Sequence, residues 1–121
     1  MKTLLVTSCV LLAAIAPASA QRGVDMHART AGDLAQLCAA DPRSPVGDAQ
    51  INYCHGFAQG VADAMLGMGG SNRPFCFPVP PPTRTATLMQ FANWARSTPS
   101  NANMPAALGL ATFLRQNFPC R

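Results

Sequence analysis

Five cysteines (Cys9, Cys38, Cys54, Cys76, Cys120), two histidines (His27, His55) and a handful of aspartates are the side chains here that could do chemistry beyond contact. A dithiol redox centre needs an attacking and a resolving thiol about one helical turn apart, and no Cys-x-x-Cys occurs. Haem attachment needs Cys-x-x-Cys-His, of which Cys54-His55 supplies only the last two residues. Structural zinc calls for paired ligand spacings, whereas His27 stands in a polar leader and His55 on the polar side of an expected helix. For hydrolysis His55 could act as a base, yet there is no Gly-x-Ser-x-Gly elbow. Asp63 lies two turns further on and about 80° round the helix from His55. These spacings point to a solvated histidine, no metal, no cofactor and no catalytic site. The chain does not read as an enzyme.

The fate of the cysteines depends on the first twenty residues. Lys2 precedes an apolar run from Leu4 to Ala16, Pro17 breaks it, and Ala18-Ser19-Ala20 has the small-x-small form cut by signal peptidase. The run is too short for a bilayer, which takes about 20 apolar residues, and it reads as a secretory signal peptide over residues 1–20. Cys9 leaves with it. No later stretch is apolar enough to span a membrane, so the mature chain is expected to have no membrane contact. Its eight arginines are scattered and lack the stacking aromatics of a nucleic-acid stripe, which argues against nucleic-acid binding. With 49% hydrophobic and 12% charged residues the chain is not a disordered, charge-rich segment. Four cysteines in an oxidising compartment favour two disulfides.

Residues 21–29 read as a flexible leader and residues 30–121 as one α-helical domain. Thr30-Ala31-Gly32-Asp33 has the form of a capping box with aspartate in place of glutamate, and Leu34, Leu37 and Cys38 share one helical face behind it. Asp41-Pro42 ends that helix, and 43–49 reads as a turn-rich loop. A second helix is expected over about 49–68, with Tyr53, Phe57, Gly60, Val61, Ala64 and Met68 on its packing face and Cys54 and Met65 on the flank. Gly56 and Gly60 each cost about 1 kcal/mol of helix propensity, a loss expected to be offset by close approach of a neighbouring helix. The glycine- and proline-rich stretch 67–83 is a long loop. A third helix follows from Thr83 or Arg84, with Leu88, Phe91, Ala92 and Ala95 inward, until Pro99 stops it. A fourth begins near Pro105, with Ala107, Leu108, Ala111, Leu114 and Phe118 inward. No run has a strand period, so the class is all-α: a small, disulfide-stapled four-helix bundle.

Four cysteines allow three pairings. If short connections make neighbouring helices antiparallel, the end of the first helix meets the start of the second, and the start of the third lies beside the end of the fourth. That favours Cys38–Cys54 and Cys76–Cys120.

The ordered features carry a resemblance. Leu34 to Cys38 precedes Tyr53-Cys54-His55-Gly56-Phe57-Ala58-Gln59-Gly60-Val61-Ala62-Asp63-Ala64; then come Phe75-Cys76-Phe77-Pro78, the helix end from Trp94 to Pro99, and Phe118-Pro119-Cys120. Over about residues 30–120 this set resembles the Rap/Tai immunity proteins, small periplasmic α-helical proteins associated with type VI secretion. The resemblance implies a non-catalytic inhibitor that dimerises and blocks a peptidoglycan amidase effector in the periplasm. The matching positions are scaffold residues, and none carries over as a toxin contact.

A contact has to be sought on physical grounds. Loops on a rigid scaffold carry function, and Arg73-Pro74-Phe75-Cys76-Phe77 places a cation and two aromatics beside a cysteine. Arg73, Phe75 and Phe77 are therefore the candidate partner-binding residues, against the alternative that both phenylalanines pack beneath the loop. A second functional reading is a structural or envelope-stress protein on the same scaffold without a toxin partner.

Overall fold

The computed structural model describes residues 26–121. The expected signal peptide, and the leader as far as residue 25, lie outside the described residues. The first helix, α1 (Ala31–Cys38), begins where the capping box was expected. The Asp33 amide donates to the Thr30 hydroxyl (3.1 Å) and the Thr30 amide to the Asp33 carboxylate (2.9 Å), so aspartate closes the box as glutamate would. Leu34, Leu37 and Cys38 are buried as expected, together with Ala31 and Ala35.

The second helix, α2 (Pro45–Gly69), starts four residues before the expected position. Ser44 is its N-cap, accepting from the Gly47 amide (2.9 Å), and Pro45 sits in the first turn, where its missing N–H costs nothing. The expectation had placed Ser44-Pro45 in a loop. The helix also runs through Gly67 and Met68 and ends only at Gly70, whose φ of 55° is a conformation glycine adopts without strain. Its packing face overlaps the expected one but is centred on the expected flank. Cys54 and Met65 are buried, and Tyr53, Phe57 and Val61 pack against the core as expected, together with Ala58 and Ala62, whereas Gly60, Ala64 and Met68 are exposed, Met68 by 82%. A Cβ at Gly56 or Gly60 would meet nothing within 4 Å, so these glycines do not admit a neighbouring helix. The stripe through Gly60, Ala64 and Met68 has the same period as the buried one, and periodicity alone cannot tell how far round the helix the inward face extends.

The third helix, α3 (Arg84–Ser97), is capped by Thr83 and buries Leu88, Phe91, Ala92 and Ala95, as expected. Pro99 ends it but also opens a single extra turn, α4 (Pro99–Ala102), capped by the Thr98 hydroxyl. The last helix, α5 (Ala106–Asn117), follows. Pro105 is its N-cap, and the inner side is Ala106, Leu110, Ala111, Phe113 and Leu114; Ala111, Leu114 and the C-cap Phe118 are buried as expected, whereas Ala107 is exposed and Leu108 is 53% exposed. Gly109 sets that rotation: a Cβ there would come within 2.6 Å of the Ala31 methyl, so α5 lies against α1 only through a residue without one. The class is all-α, with four substantial helices, and both expected disulfides are present. Among the described residues no helix is long and apolar enough to cross a membrane.

Short as it is, α1 touches all the other helices. At its N-terminus the Ala31 amide donates to the Met104 carbonyl (2.8 Å) and the Ala106 amide to the Arg29 carbonyl (2.9 Å), which joins the start of α1 to the start of α5. At its C-terminus Cys38 is bonded to Cys54 of α2.

Two outcomes follow from this packing. Gly109→Ala should destabilise the fold by about 1–3 kcal/mol through overpacking against Ala31, while Gly56→Ala should gain up to about 1 kcal/mol of helix propensity; urea unfolding of the two variants measures both signs. The second outcome concerns pH. The Thr30 amide, and after it the Thr30 hydroxyl, hold the Asp33 carboxyl below its usual range. The unfolded chain therefore takes up this proton first, and the stabilisation, complete above about pH 4, fades as pH falls through the lower folded value. Asp33→Ala should lower the melting temperature by a few degrees at pH 7, and the gap to the parent protein should close towards pH 2.

Candidate functional site

The loop from Gly70 to Thr83 is held by its own side chains. Phe75 is 3% exposed and Phe77 is 41% exposed, so the structure separates two residues that the sequence had grouped. Phe75 belongs to the core and is withdrawn as a partner contact. Phe77 packs edge-on against Phe75 (5.4 Å between ring centres) and Phe118 (4.8 Å), with much of the ring still open to solvent. From Phe118 the aromatic contacts continue to Phe113, Phe91 and Trp94, so the loop is coupled ring by ring to the centre of the core.

The backbone adds a second anchor. The Cys76 amide donates to the Phe118 carbonyl (2.7 Å), and the Cys76–Cys120 disulfide closes the same junction with a Cα separation of 4.8 Å. The expected pairing is therefore present, but its cause is the loop lying along the C-terminal tail; Cys76 precedes α3 by several residues. The Cys120 sulfur also lies 3.5 Å from the Arg73 carbonyl, a packing contact, since a disulfide sulfur carries no proton.

Between the loop, α2, α3 and α5 lies a groove of about 620 Å³, within the size range of small-ligand pockets. It exists because α2 and α3 both pack on α1 and scarcely meet each other. Leu88, Leu110 and Leu114 form its floor with Phe75. Arg73, Phe77 and Val79 of the loop, Arg84 of α3, and His55, Gln59, Asp63 and Leu66 of α2 form its walls and mouth. Arg73, Phe77 and their neighbours were legible as a loop motif. Arg84, Gln59, Leu66 and Val79 were missed, and nothing in their spacing signalled that α2 and α3 would stand apart. The Asp63 carboxylate accepts from the Gln59 amide (2.8 Å) and the Gln59 carbonyl from Arg84 (3.2 Å), a chain of polar contacts across the mouth.

A second, shallower hollow of about 530 Å³ is lined by His27, Asp33, Gln36 and Asp41. Its carboxylates already have partners: Asp33 closes the capping box, and Asp41 pairs with Arg43 at 2.9 Å. The Arg43 guanidinium, and after it the Arg43 amide, hold the Asp41 carboxyl below its usual range. Among the described residues no cluster of three metal-ligating side chains occurs.

The two disulfides differ in access. Cys38 and Cys54 are buried in the core, whereas Cys120 is exposed and Cys76 half-buried. Under graded reductant followed by alkylation and mass spectrometry, Cys76 and Cys120 should be modified before Cys38 and Cys54. Replacing the outer pair by serine should cost about 4 kcal/mol on the chain-entropy model; simultaneous labelling of all four would deny the outer bridge its separate accessibility.

Comparison with known proteins gives one positive result. No curated protein and no solved structure matches the chain significantly. The family model described as Rap1a immunity proteins matches residues 30–120, from the N-cap of α1 to the second cysteine of the outer disulfide. A match that spans the domain from its first cap to its last bridge places it: the chain belongs to the Rap1a immunity protein family.

Proposed function

We propose that this is a periplasmic immunity protein that binds and inhibits a peptidoglycan amidase effector of type VI secretion. The family match over residues 30–120 carries the reading. Two disulfides suit an oxidising compartment, and the expected signal peptide over residues 1–20 supplies the route there. Occlusion of an enzyme cleft favours a protrusion that loses little freedom on binding. The 70–83 loop suits that task, because its prolines, its disulfide and its ring contacts already restrict it. Arg73, exposed and with no side-chain partner among the described residues, and Phe77 beside it are the proposed contacts. The exposed part of α2 at Gly60, Ala64 and Met68 bears no charge and is where a second copy would pack in a homodimer.

The test is survival of a sensitive strain that exports the neighbouring gene's product to its periplasm, with and without this protein in the same compartment. Killing relieved only by this protein supports immunity. Killing that it fails to relieve rejects that product as the cognate effector. No killing by any neighbouring product would favour a non-enzymatic structural or envelope-stress protein on the same scaffold. With a cognate effector in hand, Arg73→Ala and Phe77→Ser should each weaken binding about tenfold, roughly 1.4 kcal/mol, Arg73→Ala at unchanged melting temperature and Phe77→Ser with a lowered one, since its ring packs on Phe75 and Phe118. Undiminished affinity in both folded variants would remove the loop from the interface.

A further inference from the structure

The groove beside the proposed contact loop has a chemistry that selects its occupant. Its floor is apolar and largely sealed, with Phe75, Leu88, Leu110 and Leu114 all buried. Its mouth holds two guanidinium groups, Arg73 and Arg84, against one carboxylate, Asp63, which already accepts from Gln59. Arg84 spends a single donor on Gln59, one of the five a guanidinium offers, and the Arg73 side chain has no partner among the described residues. The local balance is therefore positive.

The wall facing α2 contains Pro78, Pro81 and Pro82, with Pro80 between them. Proline has no N–H, so this wall offers few of the donors that would hold an occupant as an added strand. Recognition falls to side chains, with apolar surface on the floor and a negative charge at the mouth. The apolar surface extends from the floor up to the rim, since Val79 is 96% exposed and Leu66 38% exposed. A small ligand seated on the floor would leave that rim uncovered, whereas a length of polypeptide would cover both.

We infer that the groove receives an extended segment of the inhibited effector that carries an apolar side chain next to an aspartate or glutamate. This rests on the inhibitor reading above and specifies the partner chemistry: the loop would reach towards the effector while the effector places an acidic, apolar segment behind it.

Two measurements test it. The first uses the protein alone with anilinonaphthalene sulfonate, an aromatic anion, and phenylnaphthylamine, its uncharged counterpart, as fluorescent probes. The anion should bind the parent protein, and Arg73→Gln/Arg84→Gln should weaken that binding at least fivefold at unchanged melting temperature while leaving the uncharged probe unaffected. Absence of anion binding, or equal binding by parent and double variant, overturns the inference.

The second places a photo-crosslinking residue at Val79 and, separately, at Leu66, and maps the effector peptide captured. A peptide with an acidic residue beside an apolar one supports the inference. An effector that binds and is neutralised, but is captured through a peptide lacking a carboxylate or not captured at all, overturns it and leaves the inhibition intact. An effector that does not bind at all strikes the inhibition reading itself, and this inference with it.

Discussion

The domain depends on the fixation of an eight-residue helix at both ends. A helix the length of α1 is not stable in water by its own hydrogen bonds, yet α2, α3, α4 and α5 all pack on it. Its N-terminus is closed by the Thr30–Asp33 box and by the two backbone bonds that tie it to the start of α5. Its C-terminus is closed by the Cys38–Cys54 bond to α2. Between these fixed points Ala31, Leu34 and Ala35 are fully buried, and the approach of Gly109 to Ala31 brings α5 close enough to share that core.

The functional surface is a consequence of this arrangement. With α2 and α3 each docked on α1, the two helices are held apart, and the space between them is floored by α5 and walled by the 70–83 loop. The loop is fixed from below by Phe75, from the side by the Phe77–Phe118 contact, and covalently by Cys76–Cys120. Two disulfides thus have separate duties. The buried one holds the hub, and the peripheral one holds a proline-rich loop and the C-terminal tail to each other. The chain carries few charges, and two of its arginines stand at the mouth of this apolar groove.

Much of this was legible in one dimension, for reasons that can be stated residue by residue. Local rules identified the capping box at Thr30, the start of α3 at Thr83 or Arg84, its stop at Pro99, and its inward face, since each depends on residues within one or two turns. The same rules apply to Ser44-Pro45 at the start of α2, where a serine cap precedes a first-turn proline. The orientation of α2 and α5 was legible only in part. Tyr53, Phe57 and Val61 of α2 and Ala111 and Leu114 of α5 pack inward as their spacing implies, but Cys54 and Met65, read as a flank, are the buried centre of α2, and in α5 Leu110 is buried in place of Leu108. The larger side chains do not face inward in every case, because a disulfide at Cys54 and a missing Cβ at Gly109 fix the rotations.

The candidate site divides along the same line. Arg73, Phe75 and Phe77 were visible as a short motif, but burial separated them: Phe75 became part of the core, and Phe77 kept an open face. Arg84, Gln59, Leu66 and Val79 joined the site only through tertiary structure, because a groove between two helices that do not pack on each other leaves no periodic trace in either one. The sequence by itself determined the helical class, the four cysteines of the domain able to pair, the loop and the family features, all of which rest on residue type and local spacing. Tertiary structure decided which stripe of each helix is buried and which distant side chains share a groove, because both depend on where helices of similar amphipathicity find room to pack.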